Sequence, residues 1–122
     1  MKEKIRIRVL GDLHLLPDDV TESLRKTEEM TKNNDEATLN VCICYNGVDE
    51  LDEALEGEPT DLATFDSKLK GGYNIKPAIL IRTSGEIRLS NFLLHQTNES
   101  YFAFVDTLWP DFSLWDFMKV IF

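Results

Sequence analysis

The sequence lacks any apolar run approaching the roughly 18–20 residues that a bilayer-spanning helix needs, so no such helix is expected in its 122 residues. Its opening stretch, MKEKIRIRVLGD, carries no signal-peptide hydrophobic region, and export is not expected. Two cysteines are too few for a disulfide framework. Cys42 and Cys44 have no Cys-x-x-Cys spacing and no histidine to complete a zinc site, so they read as ordinary buried thiols on one face of a strand. Basic charge is scarce: 13 Lys and Arg stand against 22 Asp and Glu, a net charge of −9. Between residues 35 and 66 there are ten acids and no base, while the flanking segments are nearly balanced. No cluster of Lys and Arg interleaves with aromatics, which excludes the electrostatic footprint of a nucleic-acid binder. The acidic stretch reads as a solvated pair of helices.

What is present describes one soluble globular domain. Hydrophobic residues make up 43% and charged residues 29%, which sets the chain apart from disordered sequences. Lys4 to Leu10 alternates polar and apolar residues and predicts a strand that Gly11-Asp12 ends. Pro17 opens a helix running to about Asn34, with Val20, Leu24 and Met30 as its narrow buried stripe. Thr38 to Tyr45 predicts a second strand, apolar on both faces as in a buried parallel sheet. Short helices follow over 49–56 and 61–69, then a flexible Gly71-Gly72 connection.

Ala78 to Ile81 predicts a third strand ending at Arg82, a helix is expected from Ser90 to about Gln96, and Tyr101 to Val105 predicts a fourth strand. Trp109-Pro110-Asp111 turns the chain into a last helix capped by Ser113. Strands alternating with helices predict the α/β class, with a parallel sheet of about four strands and right-handed crossovers.

Ligands of open α/β sheets bind at the carboxyl ends of strands. The third strand ends there in Arg82-Thr83-Ser84-Gly85-Glu86-Ile87-Arg88-Leu89-Ser90. Gly85 lets the backbone turn near a ligand, and Thr83, Ser84 and Ser90 bring hydroxyls. The helix expected after Ser90 would add backbone N–H groups. Two arginines six residues apart can hold one diphosphate from two sides, because each planar guanidinium binds phosphate oxygens in pairs. The competing reading pairs Arg82 with Glu86 and leaves Arg88 on the surface. His14 and His95 read as structural histidines, and Glu99, Asp106 and Asp111 as cap and turn residues rather than metal ligands.

Gly11-Asp12, Asn40-Val41, the string Ile81 to Leu94 (IRTSGEIRLSNFLL) and Leu108-Trp109-Pro110-Asp111-Phe112 together resemble the cis-prenyltransferases. These make undecaprenyl diphosphate in bacteria and dehydrodolichyl diphosphate in eukaryotes. The opening Ile7 to Pro17 resembles the eukaryotic members most. The likeness covers nearly the whole chain, most weakly over 48–77. It implies that residues 1–122 form a single partial domain, the C-terminal half of the family's domain. It implies a transferase of isoprenoid biosynthesis that condenses isopentenyl diphosphate onto an allylic diphosphate, giving a long-chain, dolichol-type polyprenyl diphosphate. By position, Arg82, Arg88 and Ser90 match residues that hold the diphosphate of isopentenyl diphosphate. Glu86 matches an acid that supports the arginines, and Thr83, Ser84 and Gly85 complete the motif.

The departures from the family are specific. Its Asp-Gly-Asn-Gly-Arg-Trp motif, which binds the allylic diphosphate and Mg²⁺, does not occur in this sequence. The principal metal ligand is therefore expected in the missing N-terminal half, and no metal ligand is assigned in this chain. Val48 stands where the family usually has Arg, Ala78 where it usually has Asp, Tyr101 where bacterial members have a metal-binding Glu that eukaryotic members often lack too, and His95 where a Trp is common. Partnership with a missing half, a partner subunit or a dimer mate is expected, so the chain is not expected to be a self-sufficient monomer. The resemblance also implies a cytoplasmic location, at the endoplasmic reticulum membrane surface if peripherally attached. Two alternatives stay open: a non-catalytic partner subunit or degenerate paralogue, and a module that binds phosphorylated ligands.

Overall fold

The computed structural model describes residues 4–70 and 76–122. The expected Gly71-Gly72 connection lies outside the described residues. The chain forms two compact units, residues 1–73 and 74–122.

In the first unit, strand β1 (Ile5–Leu10) leads through a 3₁₀ turn (Leu13–Leu15) into helix α1 (Asp18–Thr31) and back to strand β2 (Ala37–Cys42). β1 and β2 pair in parallel, with Ile5 opposite Ala37 and Leu10 opposite Cys42. The inward line of α1 differs from the expected Val20, Leu24 and Met30. Met30 is 72% exposed, whereas Thr31 is buried and Thr21, Leu24 and Glu28 are partly covered. Spacings of three and four keep these residues on one helical face. Their polar groups serve β1: Thr31 Oγ1 accepts from the Ile7 amide at 3.0 Å, and Glu28 Oε1 accepts from the Val9 amide at 2.7 Å.

β2 ends at Cys42, three residues earlier than expected. Cys44 has φ +50° and so leaves the strand. The thiols therefore do not share a strand face, and Cys44 is exposed rather than buried. Asn46 caps α2 (Gly47–Glu56) by accepting from the Val48 amide, and Asp61 caps α3 (Leu62–Lys68) through the Thr64 amide. That bond and the Thr64 hydroxyl hold the Asp61 carboxyl below its ordinary value. The acidic helices are not wholly solvated, since Glu50 is 1% exposed and Asp66 is also buried.

In the second unit, β3 (Ile79–Arg82) and β4 (Tyr101–Phe104) form another parallel pair. The four strands thus make two sheets of two among the described residues. The helix expected over 90–96 does not form. Ser90, Asn91 and Leu93 take φ values of +48°, +62° and +48°, which interrupt any right-handed helical run. The segment instead folds as consecutive turns, with the Phe92 amide on the Leu89 carbonyl and the Thr97 amide on the Leu93 carbonyl.

Trp109–Asp111 is a 3₁₀ turn, and Ser113 caps α4 (Leu114–Ile121) in a capping box with Asp116. Bonds from Ser113 keep the Asp116 carboxyl below its ordinary value of 3.8. Its support of the helix is therefore present above the ordinary carboxylate range and is lost as pH falls through its own lowered value. An NMR titration is expected to place the Asp116 midpoint below 3.8, and Ser113→Ala to raise it. No helix among the described residues is long and apolar enough to cross a membrane.

Candidate functional site

The apolar strand β3 delivers Arg82 to its carboxyl end, where the Val105 amide still bonds the Arg82 carbonyl at 2.9 Å. The chain then reverses through Ser84 and Gly85, both left-handed at φ +75° and +72°. The Ser84 and Gly85 amides bond the carbonyls of Thr107 and Val105 at 2.9 and 3.0 Å. The turn is thereby fastened to the chain leaving β4. Those two amides are committed to this turn and are not available to a ligand. A Cβ on Gly85 would sit 3.3 Å from Asp106 Oδ1, so the glycine accommodates Asp106 as well as the positive φ.

This reversal brings the two arginines together. Arg82 Nη1 donates to Ser90 Oγ at 2.8 Å and also to the Arg88 carbonyl. Arg88 Nε donates to the same Ser90 oxygen at 3.3 Å. Glu86 pairs with Arg88, not with Arg82, at 2.6 Å. No other bond to either guanidinium forms among the described residues, so Arg82 Nε and Nη2 and Arg88 Nη2 remain available as donors. The expected N–H groups of a helix after Ser90 are absent because that helix does not form.

A cavity of about 300 Å³ opens beside the cluster. Arg82, Thr83 and Ser90 line its polar side, and Leu80, Ile81, Leu89 and Phe92 line its apolar side. Such a cavity suits a short amphiphile with an anionic head. Ser84 does not line it and is exposed.

The first unit holds a second polar cluster that the sequence reading missed. Lys70 forms ion pairs with Asp12 and Glu53, the latter at 3.1 Å. Burial works against the Lys70 charge, but its bonds to Asp12 and Glu53 outweigh it and hold the ammonium above its ordinary value. The buried Glu50 carboxylate accepts from the Tyr45 hydroxyl and from the Lys70 amide, the latter at 2.7 Å. Partial burial, then the nearby Glu50 charge, push the Cys42 thiol up. Only the acid at Asp12, next to a strand-ending glycine, signalled this cluster in the sequence.

His14 is exposed and His95 half-buried. Among the described residues no group of three or more His, Cys, Asp or Glu comes together to hold a metal ion. The described side chains do not group to hold a resident Mg²⁺, and no chemical step is routed through one.

Parallel strand pairs, with helix α1 crossing between β1 and β2, place the protein among α/β folds, and a cationic cluster stands at the carboxyl end of β3. The chain belongs to the family described as "Putative undecaprenyl diphosphate synthase", whose model matches residues 1–122. It is 40% identical to the mouse dehydrodolichyl diphosphate synthase complex subunit, over 98% of this chain and 40% of that protein. It is 35% identical to a Thermoplasma volcanium tritrans,polycis-undecaprenyl-diphosphate synthase (geranylgeranyl-diphosphate specific), over 99% of this chain and 52% of that one. Among solved structures, lavandulyl diphosphate synthase from Lavandula x intermedia, solved with dimethylallyl diphosphate, matches with a TM-score of 0.90 at 27% identity. That match covers 99% of this chain and 57% of the other. A probable undecaprenyl diphosphate synthase from Campylobacter jejuni matches with a TM-score of 0.81 at 30% identity, over 97% and 58% of the two chains. The chain thus spans about half the length of the relatives it matches.

Proposed function

We propose that this chain carries the isopentenyl diphosphate grip of a cis-prenyltransferase that makes a long-chain, dehydrodolichyl-type diphosphate. The observation that carries the reading is the convergence of Arg82 and Arg88 on the Ser90 hydroxyl, beside a cavity with an apolar wall. In this reading the free guanidinium donors take the diphosphate oxygens. Ser90 fixes the spacing between the arginines, and Glu86 orients Arg88 from outside. The five-carbon tail lies against Leu80, Leu89 and Phe92. Isopentenyl diphosphate then attacks the allylic carbon through its terminal carbon, a new carbon–carbon bond forms, and the allylic carbon–oxygen bond breaks to release inorganic diphosphate. A proton lost from the adjacent carbon restores the double bond.

The allylic diphosphate and the principal Mg²⁺ ligands belong, in this proposal, to the part of the family fold that residues 1–122 do not contain, supplied by a missing half or a partner subunit. When bound, Mg²⁺ would neutralise charge developing on the departing diphosphate. The endoplasmic reticulum membrane surface belongs to the same proposal.

Titration of pyrophosphate and of isopentenyl diphosphate into the 122-residue chain tests the grip. Arg88→Ala removes a charge-assisted contact of about 1.5–3 kcal/mol, so affinity is expected to fall roughly 10- to 100-fold. Arg88→Lys is expected to weaken binding as well, since a point charge cannot reproduce the fork. Arg88 is exposed, so neither change threatens folding. Equal affinity for wild type and Arg88→Ala would overturn the assignment.

Val48, at the position where the family has Arg, favours a second reading as a non-catalytic partner subunit. Reconstitution with the rest of the domain separates the two: diphosphate binding without product formation would mark the partner subunit.

A further inference from the structure

The first unit gathers cations of its own on β1 and α1. Alternation along the strand puts Arg6 and Arg8 on one face of β1. Arg25 and Lys32, two helical turns apart, share one face of α1. All four border a cavity of about 350 Å³, and Ile7, Glu28 and Glu29 complete its lining. Both carboxylates are already engaged. Glu28 Oε1 accepts from the Val9 amide at 2.7 Å, and Glu29 pairs with Lys32.

Arg6 and Arg25 make no hydrogen bond or ion pair among the described residues, although the chain carries 22 acids against 13 bases. Two unpaired guanidinium groups bordering one cavity repel each other, and an anion bound with them removes that repulsion. A cleft lined mainly by one sign of charge also concentrates counter-ions. The spacing of these groups is set in advance. Thr31 and Glu28 tie α1 to the Ile7 and Val9 amides of β1, so the helix and the strand hold their cations in place before a ligand arrives.

The lining also selects the ligand. Ile7 is its one apolar side chain, which leaves no wall for a hydrocarbon tail. Guanidinium forks from two elements suit an anion whose oxygens point in several directions. A tetrahedral phosphoryl group has that form, whereas a planar carboxylate offers both oxygens along one edge. We propose that the groove between β1 and α1 is an anion site for a terminal phosphoryl group, borne by a lipid headgroup or a small polar molecule, with Arg6 and Arg25 as its principal donors. The site uses residues of the first unit alone and does not rest on the grip assigned to Arg82 and Arg88.

Titration of pyrophosphate into the 122-residue chain, followed by NMR at the arginine Nε–H and backbone amide signals, reads the two groups of arginines separately. The Arg6 and Arg25 signals are expected to shift together and to saturate. Arg6→Gln and Arg25→Gln are each expected to weaken that saturation roughly tenfold while the Arg88 signals keep their wild-type curve. Lys26→Gln removes the same charge from α1 outside the cavity lining, and is expected to change it by less than about twofold. Arg6 and Arg25 are exposed, and unchanged Ile7 and Val9 amide signals verify that each variant keeps α1 on β1. If one variant loses those signals, the other decides. Flotation with vesicles of phosphatidylcholine, with and without phosphatidylinositol monophosphate, identifies the source. Retention that requires the phosphoinositide and is lost in Arg25→Gln assigns the phosphoryl group to a lipid headgroup. Saturation by pyrophosphate without such retention assigns it to a soluble molecule. Absence of both saturation and retention, or a loss in Lys26→Gln equal to that in Arg25→Gln, would leave only diffuse surface charge and overturn the proposal.

Discussion

Incubated with Mg²⁺, farnesyl diphosphate and labelled isopentenyl diphosphate, the purified 122-residue chain is expected to yield no polyprenyl product. The condensation joins two molecules that each carry a diphosphate, and the reacting carbons must be held within contact distance of each other. Positioning of this kind contributes roughly 7–11 kcal/mol to a barrier, so losing one of the two sites costs on the order of five powers of ten in rate or more. The arginine cluster at the end of β3 is the site proposed above for one of them. The Asp-Gly-Asn-Gly-Arg-Trp motif that would mark the second is absent from the sequence. Extraction into butanol and chromatography of the labelled material reads the outcome. A ladder of products from this chain alone would refute the division into two sites. Product appearing only after the complementary portion is added would support both the division and the catalytic reading.

Strands were the most legible parts of the sequence. Alternation in Ile5 to Leu10 and the apolar run before Arg82 each mark a strand found within a residue or two. Ser113 caps its helix as expected, and Asn46 and Asp61 cap α2 and α3 in the same way, roles the sequence reading did not assign. Segments in which a local pattern competes with a tertiary demand were not legible. Phe92, Leu93 and Gln96 have helical spacing, yet left-handed Ser90, Asn91 and Leu93 fold the segment into turns. Thr21, Glu28 and Thr31 look like solvent residues on α1, because sequence periodicity counts apolar side chains and these are inward for their hydrogen bonds.

At the candidate site the residues were legible and the pairing was not. Arg82, Arg88 and Ser90 stood out by type and spacing, but which arginine takes Glu86 depends on the turn. The turn is set by bonds from Ser84 and Gly85 to Thr107 and Val105, some twenty positions along the chain. Lys70 and Asp12 are joined over a still longer separation, which no local pattern encodes.

Gly11→Ala is expected to be the most destabilising single substitution in the first unit. Gly11 has φ +130°, and a Cβ there would lie 1.9 Å from the Ile43 carbonyl oxygen. That oxygen belongs to backbone, not to the end of a flexible side chain. Nor can the backbone easily move, because the Ile43 amide is bonded to the Leu10 carbonyl and the Asp12 amide to the Cys44 carbonyl at 3.1 Å. Relief of the overlap must therefore break the crossing of the two strand ends. A cost of roughly 3–5 kcal/mol is expected, a large part of the 5–15 kcal/mol that holds a typical domain folded. Gly85→Ala provides the scale. Its Cβ would meet the side-chain oxygen of Asp106 at 3.3 Å with φ +72°, so the carboxylate can yield, and the left-handed backbone costs roughly 1–2 kcal/mol. Urea unfolding followed by far-UV circular dichroism, with hydrogen exchange at Ile7 and Val9, separates the two variants. Exchange at β1 should accelerate steeply in Gly11→Ala and stay slow in Gly85→Ala. The loss should extend to the Lys70–Asp12 pair, because the residue that places Asp12 is the glycine before it. Wild-type exchange at Ile7 and Val9 in Gly11→Ala would mean that the turn after β1 has room the geometry denies.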